Sequence, residues 1–135
     1  MTTYVQARDA LVAYIDATWK AAYPGVEIFY ENTRQVDLDT VGDKFITVAI
    51  DFTDTLRMDM DATPSSRSFG EVSFRLFAKE GVGTRTTLQM FDFLQAAMKY
   101  RAVSGVTLEC PTPGPKRSAS GWMSFDLDVP FFFYQ

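Results

Sequence analysis

Gly70-Glu-Val-Ser-Phe-Arg-Leu-Phe-Ala-Lys79 alternates in polarity, with Val72, Phe74, Leu76 and Ala78 on one face and Glu71, Ser73, Arg75 and Lys79 on the other. A period of two marks a strand with one buried face. Gly81-Val-Gly83 then frees the backbone to reverse. Thr84 or Thr86 can cap a following helix, and Gln89, three residues after Thr86, completes a capping box. That helix places Leu88, Phe91, Leu94 and Met98 on a broad apolar stripe with Met90 at its edge. Phe93 and Tyr100 fall outside the stripe. Aromatics on a helix flank imply either a second partner or cover from strand ends or another helix.

Upstream, Thr3 with Gln6 forms a capping box for a helix running to about Ala22. Its apolar face collects Tyr4, Leu11, Val12, Ile15 and Trp19. Arg8 falls near the middle of that face, so its cation must reach a carboxylate or a neighbouring chain. Tyr23-Pro24-Gly25 ends the helix and Val26 to Tyr30 reads as a short strand. Glu31 to Lys44 is polar and aperiodic, a loop. Within it Asp37-Leu-Asp39-Thr-Val-Gly42-Asp43 looks like the start of a calcium loop, but Val48 stands where the twelfth position needs a glutamate. Phe45 to Phe52 is a strand with Ile46, Val48, Ile50 and Phe52 on one face. The same even-numbered register resumes beyond Asp54 as Leu56, Met58 and Met60. These residues predict a long hairpin arm, about 53–68, whose tip exposes an apolar stripe for a partner to cover, or which folds back on its own core.

Downstream, Val106 to Cys110 is a short strand with Cys110 in the core. The proline-rich segment from Pro111 to Gly121, carrying Lys116 and Arg117, is a loop rather than a sheet element. The final strand, Trp122 to Val129, points Met123, Phe125, Leu127 and Val129 inward and Trp122, Ser124, Asp126 and Asp128 outward, and Pro130 ends or edges it. Phe131-Phe-Phe-Tyr134 is too aromatic for water and must dock on this subunit or a neighbour. The order α-β-β-β-α-β-β implies one α+β domain, 1–135: a two-layer sandwich whose antiparallel or mixed sheet carries both helices on one face. The other face, with Glu71, Arg75, Lys79, Glu109, Asp126 and Asp128, would be wet.

The chain has 135 residues, with 13 basic and 17 acidic side chains, no histidine and one cysteine. That balance disfavours a dedicated nucleic-acid surface, although nucleic acid can pass through an assembly of such subunits. Missing histidine removes Ser/His/Asp triads and Cys/His dyads, and a single cysteine removes thiolate zinc sites and intrachain disulfides. The paired carboxylates Asp126 and Asp128, Asp59 and Asp61, and Asp37 and Asp39 show no asymmetry suited to acid–base work. Gly81-x-Gly83-Thr84 lacks the rest of a phosphate-loop motif. Lys116 and Arg117 make only a weak phosphate patch. The expectation is therefore no catalytic residue, no metal and no cofactor. No signal peptide or membrane-length apolar run is legible, and folding in a reducing cytoplasm is expected.

Most of the chain resembles the tail terminator, or tail completion, proteins of long-tailed bacteriophages. The likeness is carried by Gly70-Glu-Val-Ser-Phe-Arg-Leu-Phe-Ala-Lys-Glu-Gly-Val-Gly-Thr84, the helix Leu88 to Met98, Gly105-Val-Thr-Leu-Glu-Cys-Pro111 and Gly121-Trp-Met-Ser-Phe-Asp-Leu-Asp-Val-Pro-Phe131. Tyr30-Glu-Asn32 and Phe45-Ile-Thr-Val-Ala-Ile50 extend it upstream. The Leu56 to Met60 extension and the aromatic tail depart from the family. The resemblance implies a virion protein, assembled in the host bacterial cytoplasm at the head-proximal end of the tail. A ring of such subunits, typically a hexamer, would cap the tube of the major tail tube protein and stop its polymerisation. It would also join the head–tail connector or neck proteins, with DNA passing through the lumen without sequence-specific binding. A ring needs two different patches per subunit. Leu56, Met58 and Met60 are the candidates for one, and Phe93 and Tyr100 for the other, with Arg8 as a further interface residue. Lys116, Arg117, Phe132 and Tyr134 are candidates for the tube or connector contact. The alternatives are a neck protein of related fold and a small ligand-binding or enzymatic α+β domain on the open sheet face.

Overall fold

The computed structural model describes residues 2–31, 40–58, 60, 65–81 and 84–135. The calcium-like Asp37 and Asp39, together with Asn32, Asp59, Asp61, Val82 and Gly83, lie outside them. Helix α1 spans Tyr4–Ala22 and α2 Arg85–Met98. The strands are β1 Glu27–Tyr30, β2 Lys44–Arg57, β3 Ser66–Lys79, β4 Ala102–Val103, β5 Val106–Leu108, β6 Thr112–Pro113, β7 Arg117–Ala119 and β8 Trp122–Tyr134. They form one mixed sheet in the order β1-β2-β3-β8-β5-β4, with β6 and β7 also paired to β8. Only β1 and β2 run parallel; the remaining pairs are antiparallel. The fold is α+β, with both helices contributing to one core on one face.

The capping box at α1 is present: Gln6 N donates to Thr3 Oγ1 and Thr3 N to Gln6 Oε1. Ala7, Leu11, Ile15 and Trp19 are the buried stripe, whereas Tyr4 and Arg8 are exposed. Helix α2 is rotated from the expected stripe. Thr87, Met90, Leu94 and Met98 are buried, Leu88 is exposed, and Thr84 makes no side-chain cap bond. Phe93 meets the rings of Trp19 and Tyr23, so the first helix covers it. Tyr14 Oη donates to Ala97 O at 2.7 Å and ties the two helices together.

Strand β8 continues through Pro130 to Tyr134. Pro130 O accepts from Glu109 N at 2.8 Å. Because a strand residue's carbonyl and nitrogen point to the same side, the missing N–H faces the outer edge, between β5 and β6, and costs no bond to β3. Phe131 and Phe133 therefore fill this chain's own core. The segment from Pro111 to Gly121 is not wholly a loop, since β6 and β7 lie along β8. Cys110 is half-buried, with its thiol donating to Pro111 O at 3.7 Å, rather than a core residue.

Candidate interaction surface

The register on β2 changes at Thr53. Phe52 lies opposite Gly70, but Asp54 lies opposite Phe69, leaving Thr53 as the extra residue of a bulge. An inserted residue exchanges the faces of everything beyond it. Thr55 now faces the core side, opposite the buried Ser68, and its Oγ1 is 3.3 Å from Tyr4 Oη. That contact with Thr55 lowers the Tyr4 hydroxyl's pKa. Leu56 instead lies opposite Arg67, on the open face. The expectation that Leu56 and Met58 continue the Ile46–Phe52 face is overturned by this one residue. Met58 N donates to Ser65 O, extending the ladder and keeping Met58 on the face of Leu56.

Strand β8 carries the open face onward. Arg67 pairs with Tyr134, and Phe69 with Phe132, which in turn pairs with Thr107 of β5. The Phe69 and Phe132 centroids are 6.4 Å apart, and those of Phe132 and Tyr134 6.0 Å. The Arg67 guanidinium lies 4.6 Å from the Phe132 ring and 5.0 Å from the Tyr134 ring and donates to Tyr134 Oη. Its Nε is buried without an acceptor among the described residues. Leu56, Met58 and Tyr134 remain 50%, 44% and 46% exposed. Aromatics, methionine and arginine, with few other charges, make up the composition found at interface centres.

Beside Phe132 a groove of about 450 Å³ is lined by Tyr100, Thr107, Leu108, Glu109 and Cys110. Past α2, Tyr100 follows the extended cap residue Lys99 in a turn from Met98 to Arg101, at φ 54°, and is 69% exposed. The neighbouring Cys110 thiol, then burial and Glu109, hold its hydroxyl above the ordinary pKa.

The rest of the open face is not uniformly wet. At its far end Phe29, Val41, Phe45 and Trp122 form a second apolar cluster, with Phe45 stacked on Phe77 at 4.5 Å. In the middle Arg75 Nε donates to Asp126 Oδ1 at 2.9 Å, across a depression of about 240 Å³ that Asp128 also lines. Glu71, directly opposite Asp51, has its pKa raised by burial first and then by repulsion from Asp128 and Asp51. Among the described residues, no three His, Cys, Asp or Glu side chains are placed to hold a metal.

The structure thus gathers Leu56, Met58, Phe132 and Tyr134 at one end of the open face, with Tyr100 across the groove. It does not bring the other candidates there. Met60 is 90% exposed beyond the strand end. Phe93 belongs to the helix layer. Arg8 pairs with its neighbour Asp9 at 2.9 Å and borders a cleft with Val12, Tyr30 and Ile50. Arg117 pairs with Ser124, and Lys116 Nζ lies 5.9 Å from the Phe125 ring. Tyr134 is ten residues further along β8, roughly 33 Å away at strand rise. These basic residues and the aromatic tail are two separate surfaces. Arg67 and Phe69 were not foreseen, although counting back by twos from Glu71 places both on the open face.

The fold recurs. A solved structure whose name describes no function aligns over 96% of this chain and 93% of its own length, with a TM-score of 0.72 and 14% identity. No protein-family model and no curated protein matches the sequence. At that identity the likeness concerns the fold alone.

Proposed function

We propose that this chain is a ring-forming subunit of a phage tail terminator, capping the tail tube and presenting the surface that joins the head. The observation that carries the reading is the strip of exposed Leu56, Met58 and Tyr134 with half-buried Phe132 around Arg67, at the end of the sheet. A subunit that works by contact needs such a strip, and its sequence resemblance is to proteins that work in this way. Met60, at the arm tip, and Tyr100, across the groove, extend the contact region. Co-assembly with polymerising tail-tube protein tests the proposal. Tubes should stop at a uniform length with a ring at one end in electron micrographs. Met58→Asp should abolish capping while leaving the circular dichroism spectrum unchanged. Tubes of unrestricted length with the wild-type protein would sink the reading.

A further inference from the structure

The open face is self-complementary. Arg67, Phe69 and Glu71 are successive open-face positions on β3, about 6.6 Å apart. Arg67 sits among apolar rings, and its guanidinium makes no ion pair among the described residues. Glu71 faces Asp51 and Asp128, and Arg75, four residues along the same strand face, is engaged by Asp126. Each of the two charges lacks what the other provides, with an aromatic residue midway between them. An isologous contact requires this arrangement, in which residue i meets j while j meets i.

We propose that two copies of this chain pair face to face through the open side of the sheet, about a twofold axis over Phe69, so that Arg67 of each meets Glu71 of the other. The axis lies between the two faces and runs across the strands. It brings Phe69 and Phe132 of both copies into one four-ring centre, which forms the desolvated middle that stable interfaces need. Tyr134 then lies over the second copy's Pro130. Packed sheets cross by about 30°, which displaces a residue 6.6 Å from the axis by only about 3 Å, within reach of Arg and Glu side chains. The raised pKa of Glu71 fits a carboxylate whose counter-charge comes from outside its own chain. Asp54 shares the axial row at the exposed edge and meets its own copy, although its Oδ1 already accepts from Thr55 N at 2.8 Å. The same axis sets Leu56 over the second copy's Asp51, and these two are the unfavourable contacts of the pair.

This pairing goes beyond the terminator reading and does not depend on it. A ring grows through two unlike patches, whereas the pair closes on itself and keeps the contact strip covered until another partner displaces it.

Light scattering and sedimentation of the purified full chain, over a range of concentration, test the pair. Wild-type protein should move reversibly between one and two subunits. Glu71→Arg should weaken dimerisation about tenfold or more. The monomer of that variant stays folded, because arginine there relieves the repulsion from Asp51 and Asp128. Arg67→Glu should weaken the dimer similarly, the double variant should recover to within about threefold of wild type, and Asp54→Asn should tighten it. A monomer at all concentrations, a mass of six subunits, or a Glu71→Arg protein that dimerises normally would overturn the pairing. Failure of the charge-swapped double variant to recover, while its circular dichroism stays native, would overturn it too.

Discussion

Phe133→Ala set beside Phe132→Ala tests the register of the final strand. Phe133 is fully buried between Tyr4, Phe52 and Phe131, with ring centroids 5.7, 6.1 and 6.4 Å away. Removing a ring from such a site costs about 3–5 kcal/mol, from lost burial and the cavity left behind. Phe132 is one residue away but on the open face, half-buried under the Arg67 guanidinium. Its loss should cost about 1 kcal/mol, mostly cation–π and partial burial. Unfolding entropy for a chain this long is roughly 0.28 kcal/mol per kelvin, so the two variants should lower Tm by roughly 10–18 °C and roughly 4 °C. The assay is thermal and urea unfolding followed by circular dichroism, at a concentration low enough for the monomer to dominate. Equal costs, or a larger cost for Phe132→Ala, would refute a β8 that runs through Pro130 in this register.

Three further outcomes follow from the geometry. Glu71→Gln should stabilise the monomer at neutral pH by about 0.2–1 kcal/mol, the size of a cross-strand like-charge repulsion. The Glu71 pKa is raised in the fold, so its protonated form is the better tolerated one. Wild-type stability relative to the variant is greatest below the ordinary value of 4.5 and falls as pH rises through the folded value, so the two unfolding curves should converge in acid. Tyr100→Gly should raise unfolding free energy by about 1 kcal/mol, because glycine adopts the positive φ of the turn after α2 without strain, and should reshape the groove beside Phe132. Gly70→Ala should cost about 2 kcal/mol or more in urea titration, since its Cβ would stand 2.5 Å from Asp51 O and collide with the Phe131 ring.

The central strand, the α1 capping box and the placing of both helices on one sheet face were legible because each is a local pattern. What was not legible depends on partners. In α2 the stripe through Leu88 and Phe91 and the stripe through Thr87 and Met90 share Leu94 and Met98 and differ by a rotation of roughly 50°, and only the packing decides. Thr87 is buried with its hydroxyl unpaired among the described residues, a cost no sequence pattern announces. Pro130 looks like a strand end until the direction of its nitrogen is known. Trp122 looked outward and is, but Phe45 and Phe77 are there to cover it. For the candidate surface, residue type was a good guide to exposure at Leu56, Met58 and Tyr134. It was a poor guide to grouping, which depends on a bulge that a period of two does not register.

The bulge itself has a physical origin in the row Phe52–Gly70–Phe131. Glycine leaves the centre of that row without a side chain, and the Phe131 ring lies across the vacant backbone to meet Phe52 edge-on at 5.8 Å. Glycines inside strands are commonly covered by a neighbouring aromatic in this way. A bulge bends its strand, and here the two phenylalanines pack over it from the core side, with Tyr4 edge-on to Phe52 at 4.8 Å. Past that point the core face needs only Thr55, Ser68 and Phe133 to meet the start of α1, so a polar pair can be tolerated inward. The apolar side chains released by the shift, Leu56 and Met58, are turned to the open face, where Phe69, Phe132 and Tyr134 already lie. One glycine and one extra residue therefore convert an ordinary hairpin continuation into a surface built for contact.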